Sequence, residues 1–205
     1  MTLDPFYPIL DSSGWLRRLL PLGVKLVQLR VKGLGAEETR REIKTAKRLC
    51  ADAGCRLVVN DYWQIAIEEG CDFVHLGQED LDGADVAALR RAGLRLGIST
   101  HDDAELERAL SFDPDYVALG PVYPTLLKQM PWAPQGLEKI AEWKRRIGGL
   151  PLVAIGGLTV ERVAGARAAG ADILSVVTDI TLSADPEART RAWIAATRPH
   201  AQSAL

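Results

Sequence analysis

The sequence predicts an α/β fold, a single-domain (β/α)8 barrel, on three observations. Short apolar runs alternate with amphipathic segments along nearly the whole 205-residue chain. The runs are continuously apolar, as expected of parallel strands covered by helices. Polar groups gather where the runs end: Gln28 and Arg30, Asn60-Asp61, Gln78-Glu79-Asp80, Ser99, Gly156-Gly157 and Thr178-Asp179. Chemistry at the C-terminal ends of many strands is the habit of the barrel, whose active sites lie at that face.

Each element follows from the same pattern. Phe6–Leu10 reads as the first strand and Trp15–Leu20 as a short helix. The strand Lys25–Arg30 precedes a charged helix over Ala36–Ala53, where Ile43, Ala46 and Leu49-Cys50 share one face. Strand Arg56–Asn60 leads to helix Trp63–Glu69, and strand Phe73–Leu76 to helix Ala84–Ala92. Strand Leu94–Ser99 leads to helix Asp103–Ser111, with Asp102 or Asp103 suited to its N-cap. After strand Tyr116–Leu119 comes the longest loop, Gly120–Gln135, rich in proline. Helix Leu137–Ile147, strand Leu152–Ile155, helix Val160–Ala169, strand Ile173–Val177 and helix Pro186–Thr197 complete eight strands and eight helices. Gly23, Gly70, Gly93 and Gly170 each stand just before a strand, where a helix ends in a left-handed residue. Residues from about Pro199 read as a flexible tail, and residues 1–205 as one domain.

Composition narrows the partners. Hydrophobic residues are 47% and charged residues 25%, with a net charge of −2 spread along the chain. No basic block calls for nucleic acid, so a small anionic substrate must be met by locally placed cations. Three cysteines in no metal-binding spacing fit a reducing compartment. No secretory leader and no membrane-length apolar stretch is present, so the expectation is a cytoplasmic protein.

Asp61 and Asp80 end neighbouring strands, which lie about 4.8 Å apart, near enough to share one hard cation. The alternative for both is helix capping. Arg30, Lys32 and Lys128 are the cations of the same rim, where Arg grips two oxygens and Lys acts as a point charge. Gly156-Gly157, with Val177-Thr178, forms a second site at the strand ends where barrels often hold phosphate. His75, inside a strand, reads as a packed and hydrogen-bonded histidine, whereas His101 lies on the rim. Tyr123 and Trp132 are placed either to cover the mouth or to pack on the surface.

In order along the chain stand Gln28-Leu29-Arg30-Val31-Lys32, Asn60-Asp61, His75-Leu76-Gly77-Gln78-Glu79-Asp80, Gly97-Ile98-Ser99-Thr100-His101, Gly120-Pro121-Val122-Tyr123-Pro124-Thr125 and Ala154-Ile155-Gly156-Gly157. This series resembles the thiamine phosphate synthases, a TIM-barrel family of transferases, and covers nearly the whole chain. The resemblance implies joining of 4-amino-5-hydroxymethyl-2-methylpyrimidine diphosphate to 4-methyl-5-(2-phosphoethyl)thiazole, giving thiamine phosphate and pyrophosphate with Mg2+. It implies that Gln28, Arg30, Lys32, Asn60, Ser99, Thr125 and Lys128 bind the diphosphate substrate. Asp61 and Asp80 would hold the metal, and Gly157, Val177 and Thr178 the thiazole phosphate. Catalysis would fall to Lys128, Arg30, Lys32 and Ser99, through charge stabilisation without a side-chain nucleophile. The partners are then small molecules, with a homodimer as an open option.

One departure stands out. Where the family carries Thr-x-Thr-Lys, this chain has Thr125-Leu126-Leu127-Lys128. Leu127 offers no hydroxyl, a loss of about 1.5–3 kcal/mol if nothing replaces that bond to a charged group. A thiazole tautomerase and a non-catalytic binder of thiazole or thiamine phosphate are the competing readings. Arg30, Lys32, Asp61, Asp80 and Lys128 favour the synthase, since a tautomerase has no diphosphate to neutralise.

Overall fold

The structure is a computed structural model that describes residues 2–125 and 132–198. Eight parallel strands close on themselves in sequence order. They are β1 Phe6–Leu10, β2 Leu26–Leu29, β3 Arg56–Asn60, β4 Phe73–Leu76, β5 Arg95–Thr100, β6 Tyr116–Leu119, β7 Leu152–Ala154 and β8 Ile173–Val176. The helices outside are α1 Ser13–Leu19, α2 Ala36–Asp52, α3 Trp63–Glu68, α4 Val86–Arg91, α5 Asp103–Leu110, α6 Gly136–Ile147, α7 Val163–Ala168, α8 Thr178–Thr181 and α9 Pro186–Thr197. The expected barrel is therefore present, with shifts of a residue or two at most ends.

Two helices depart from expectation. The stretch predicted as one helix from Val160 begins as a 3-10 turn over Val160–Arg162 before α7. An additional turn, α8, follows β8; four residues are too few to show a helical period. The glycines expected at helix ends, Gly23, Gly70, Gly93 and Gly170, all have positive φ.

Two apolar layers carry the fold. The larger lies between sheet and helices and includes Leu16, Ile43, Leu89, Leu106, Ile140, Trp143 and Trp193. The smaller fills the barrel with Tyr7, Leu26, Val58, Phe73, Tyr116, Ala118, Val153 and Ile173. Filling an eight-stranded interior with side chains is a geometric necessity, so what occupies it decides what lies beneath the mouth.

Gly97 makes room for the largest of these groups. It pairs with His75 of β4 on one side and with Tyr116 of β6 on the other. A Cβ on Gly97 would collide with the Tyr116 ring, so the missing side chain lets that ring reach across β5 towards His75. Gly97→Ala is expected to cost about 1–3 kcal/mol of stability through this overpacking. Urea unfolding measures it, and an unchanged midpoint would show that Tyr116 does not lie there.

Candidate active site

A cavity of about 740 Å3 opens at the C-terminal ends of the strands. Arg30, Lys32, Asn60, Asp61, Asp80, Ser99, Thr125, Gly157, Val177 and Thr178 all line it. These residues belong to the ends of seven strands or the loops after them, and barrel closure brings them to one opening. A second hollow, of about 540 Å3, lies at the opposite end among Asp4, Lys25, Arg56 and Asp72. Among the described residues, every sequence-derived candidate but Gln28 lines the first and none enters the second.

The charged rim is built around Asp61. Its backbone is left-handed, with φ 63°, a conformation that Asp tolerates better than most residues at a modest energetic cost. The carboxylate forms an ion pair with Lys32. Tyr62, not Asp61, occupies the N-cap position of α3, so the capping alternative is not what the structure holds. Asp80 accepts the Gly77 N–H at 3.0 Å, and it is Asp85 that caps α4. Partial burial, and then the negative charge of Asp61 beside it, holds Asp80 above its ordinary carboxylate range. Two like charges facing one opening form a pair that a divalent cation would relieve. Among the described residues no third metal-ligating side chain joins them in a cluster. One or two carboxylates, with waters and phosphate oxygens, is the usual protein share of a Mg2+ shell, so the pair fits that ion.

Beneath the rim the barrel interior is polar in a line. Gln28 Nε2 donates to Tyr7 Oη at 2.9 Å, and Tyr7 Oη lies 2.9 Å from Tyr116 Oη. Tyr116 Oη is 2.8 Å from His75 Nδ1, and His75 Nε2 is 2.8 Å from Ser99 Oγ. His75 thus points into the barrel and is packed and bonded on both nitrogens. Burial pushes its pKa down to about 4, with Asp61 partly opposing the shift and Arg30 assisting it. Gln28 is 2% exposed and sits one layer below the opening, on Tyr7.

Other contacts support the mouth, and of these the sequence indicated the Asp102 cap and the choice of places for Tyr123 and Trp132. Gln78 Nε2 donates to the Ser99 carbonyl at 2.7 Å, steadying the backbone of that strand end. His101 bonds Glu105 at 2.7 Å and stacks on Trp132 at 3.9 Å, so the rim histidine is held from two sides. Trp132 lines the cavity, whereas Tyr123 lies under the Arg162 guanidinium, 4.2 Å from it. Asp102 caps α5 by accepting the Glu105 N–H. At the far side Arg189 bonds both Asp179, after β8, and Glu161, after β7. Asp179 also accepts the Trp193 indole N–H at 2.7 Å. This brace ties the two strand-end loops to α9, and its only sequence trace is the Asp that follows Thr178.

The loops after β6 and β7 are laced together. Val122 N donates to Ile155 O at 2.9 Å and Tyr123 N to Gly156 O at 3.0 Å. A Cβ on Gly156 would lie 2.7 Å from Pro121 Cα, and one on Gly157 2.7 Å from Tyr123 Cβ. Gly157 also needs its φ of 63°. Lys128 and Leu127 lie outside the described residues.

Because the folded pKa of His75 lies below the usual 6.5, the unfolded chain takes up a proton that the native protein refuses between pH 6.5 and about 4. Stability from a neutral His75 is therefore complete above pH 6.5 and lost as pH falls through that window, by up to about 1.4 kcal/mol per unit. Urea unfolding of wild type and His75→Gln across the window checks this: the variant should lack that part of the slope. Parallel slopes would contradict it.

Known proteins are similar to this chain in sequence and fold. The family model described as thiamine monophosphate synthase matches residues 8–180. A thiamine-phosphate synthase of Rhizobium etli is 64% identical, over 97% of this chain and 98% of that protein. One of Neisseria meningitidis is 46% identical, over 92% of each. Among solved structures, the thiamine phosphate pyrophosphorylase from Pyrococcus furiosus superposes with a TM-score of 0.83 at 25% identity, covering 94% of each chain. The chain belongs to the thiamine monophosphate synthase family and is a transferase of thiamine biosynthesis that releases pyrophosphate.

Proposed function

We propose that the two substrates are 4-amino-5-hydroxymethyl-2-methylpyrimidine diphosphate and 4-methyl-5-(2-phosphoethyl)thiazole, joined by a dissociative substitution in the mouth described above. The observation that carries this reading is charge placement around one cavity. Arg30 and the Lys32–Asp61–Asp80 group stand among its lining, and so do Gly157, Val177 and Thr178. One part suits a diphosphate and the other a single phosphate met by backbone N–H groups.

In the proposed reaction the C–O bond between the pyrimidine methylene and the diphosphate breaks first. The bonding electrons leave with pyrophosphate, and the thiazole nitrogen then closes the new C–N bond on the pyrimidine carbocation. Arg30, Lys32 and Lys128 offset the charge that grows on the departing oxygens, and fixed charges do this without reorganising. Asn60, Ser99 and Thr125 bind and orient the diphosphate substrate, while Gln28 acts from beneath. Gly157, Val177 and Thr178 anchor the thiazole phosphate so that its nitrogen faces the reacting carbon. Mg2+, held by Asp61 and Asp80, would add positive charge against the same diphosphate.

Purified protein supplied with both substrates and Mg2+ is expected to release pyrophosphate and form thiamine phosphate. Binding of both substrates without product would instead mark a non-catalytic binder, and thiazole turnover without the diphosphate substrate would mark a tautomerase. Asp80→Ala and Lys128→Ala should each lower kcat on the order of 10²-fold with the fold retained. Pyrophosphate with Mg2+ should raise the thermal midpoint of the wild type and not of Asp80→Ala, by binding linkage. Near-normal rates in both variants, or an equal thermal shift in Asp80→Ala, would remove the assigned roles.

A further inference from the structure

We propose that Gln28, Tyr7, Tyr116 and His75 form a polarised hydrogen-bond relay whose output is the direction of the Ser99 hydroxyl. Tyr7 and Tyr116, neither of which lines the cavity, are then positioning residues for the substrate atom that Ser99 meets. The inference rests on the reading above only in that Ser99 touches substrate.

The argument is a count of hydrogens. Four contacts of 2.8–2.9 Å link the five side chains, and each contact holds one hydrogen. Gln28 Nε2 supplies the first, so Tyr7 Oη accepts and its own hydrogen turns to Tyr116. Tyr116 then donates to His75 Nδ1, which must be the bare nitrogen. The imidazole proton therefore sits on Nε2 and is given to Ser99 Oγ. The Ser99 hydrogen is left over, and the mouth is the side open to it.

The reverse order fails on the same count. If Ser99 donated inward to Nε2 and Nδ1–H to Tyr116, the Tyr7 hydrogen would have no place in the chain while Gln28 still donated to Tyr7. Tyr7 is 1% exposed and Tyr116 0%, so water cannot take that hydrogen. An orphaned buried donor costs about 1–3 kcal/mol, enough to select one direction.

Burial supports the scheme by holding all three titratable members neutral: both phenols are pushed up and His75 is pushed down. Gly97 supports it sterically, because only a bare backbone there lets the Tyr116 ring meet His75. The chemical consequence is definite. Ser99 reaches the substrate as a hydrogen-bond donor, suited to an anionic oxygen or another acceptor atom. With the opposite polarity it would present lone pairs and repel that atom.

Two arms test this. Side-chain 15N NMR of the ligand-free enzyme at neutral pH reads the His75 tautomer, its signals assigned by their loss in His75→Gln. The expected state is protonated Nε2, with Tyr116→Phe shifting His75 towards a mixture of tautomers. Protonated Nδ1 in the wild type, or an unchanged tautomer in Tyr116→Phe, overturns the relay whether or not the enzyme uses the proposed substrates. The second arm is kinetic. Tyr116→Phe keeps the ring over Gly97 and should lower kcat for pyrophosphate release about tenfold, one hydrogen bond's worth. In a Ser99→Ala background the same change should have little further effect, because the relay then has no output. Equal losses in both backgrounds, or an unaltered kcat in Tyr116→Phe, would sink the positioning role. Failure of the wild type to release pyrophosphate would count against the proposed substrates and leave the tautomer arm to decide the relay.

Discussion

An eight-stranded barrel has no vacant interior, so every polar atom pushed inside must find a partner there. That constraint shapes this molecule more than any single charge on its rim. Two tyrosines and a histidine stand where an ordinary barrel would place aliphatic side chains, and they are tolerable because they satisfy one another. The Ser175 hydroxyl, buried on β8, is the exception, with no hydrogen-bond partner among the described residues. Such a column gives up some hydrophobic stabilisation in return for a rigid polar floor beneath the opening.

The rim has the opposite character. Lys32 is half exposed and Arg30 exposed, and water screens the Lys32–Asp61 pair. A surface pair of this kind adds little to folding. Its value lies in what happens when a charged ligand displaces the water, because the same groups then act across a poorer dielectric. Behind the opposite wall, Arg189 joins Asp179 and Glu161 and so ties two short loops to α9. The guanidinium holds Glu161 well below the usual carboxylate range, to about 2.

Much of this was legible in the sequence, for a local reason. Strand runs, helix-ending glycines and the Asp102 cap depend on residues a few positions apart, and the barrel order followed from their alternation. The rim candidates were legible because strand ends in a closed barrel must converge. Depth was not legible. Gln28 and Arg30 stand two positions apart, yet the first is sealed in the floor within β2 and the second, just past the end of that strand, is exposed, a difference set by where the strand stops. The left-handed backbone of Asp61 and the stacking of His101 on Trp132 likewise depend on contacts from other strands. The Arg189 brace joins residues 28 and 10 positions apart that no short motif links.

The crowding at Gly156 and Gly157 has an evolutionary reading. Any side chain there strikes the Pro121–Pro124 segment, so neither position is available for reshaping the cavity it lines. A descendant that adapted this end of the cavity to a bulkier or differently charged partner would have to vary neighbouring lining residues, such as Leu158, Val177 and Thr178, while leaving the glycines alone. Diversification of the pocket is thereby channelled away from the two glycines, by a steric lock that has no chemistry of its own.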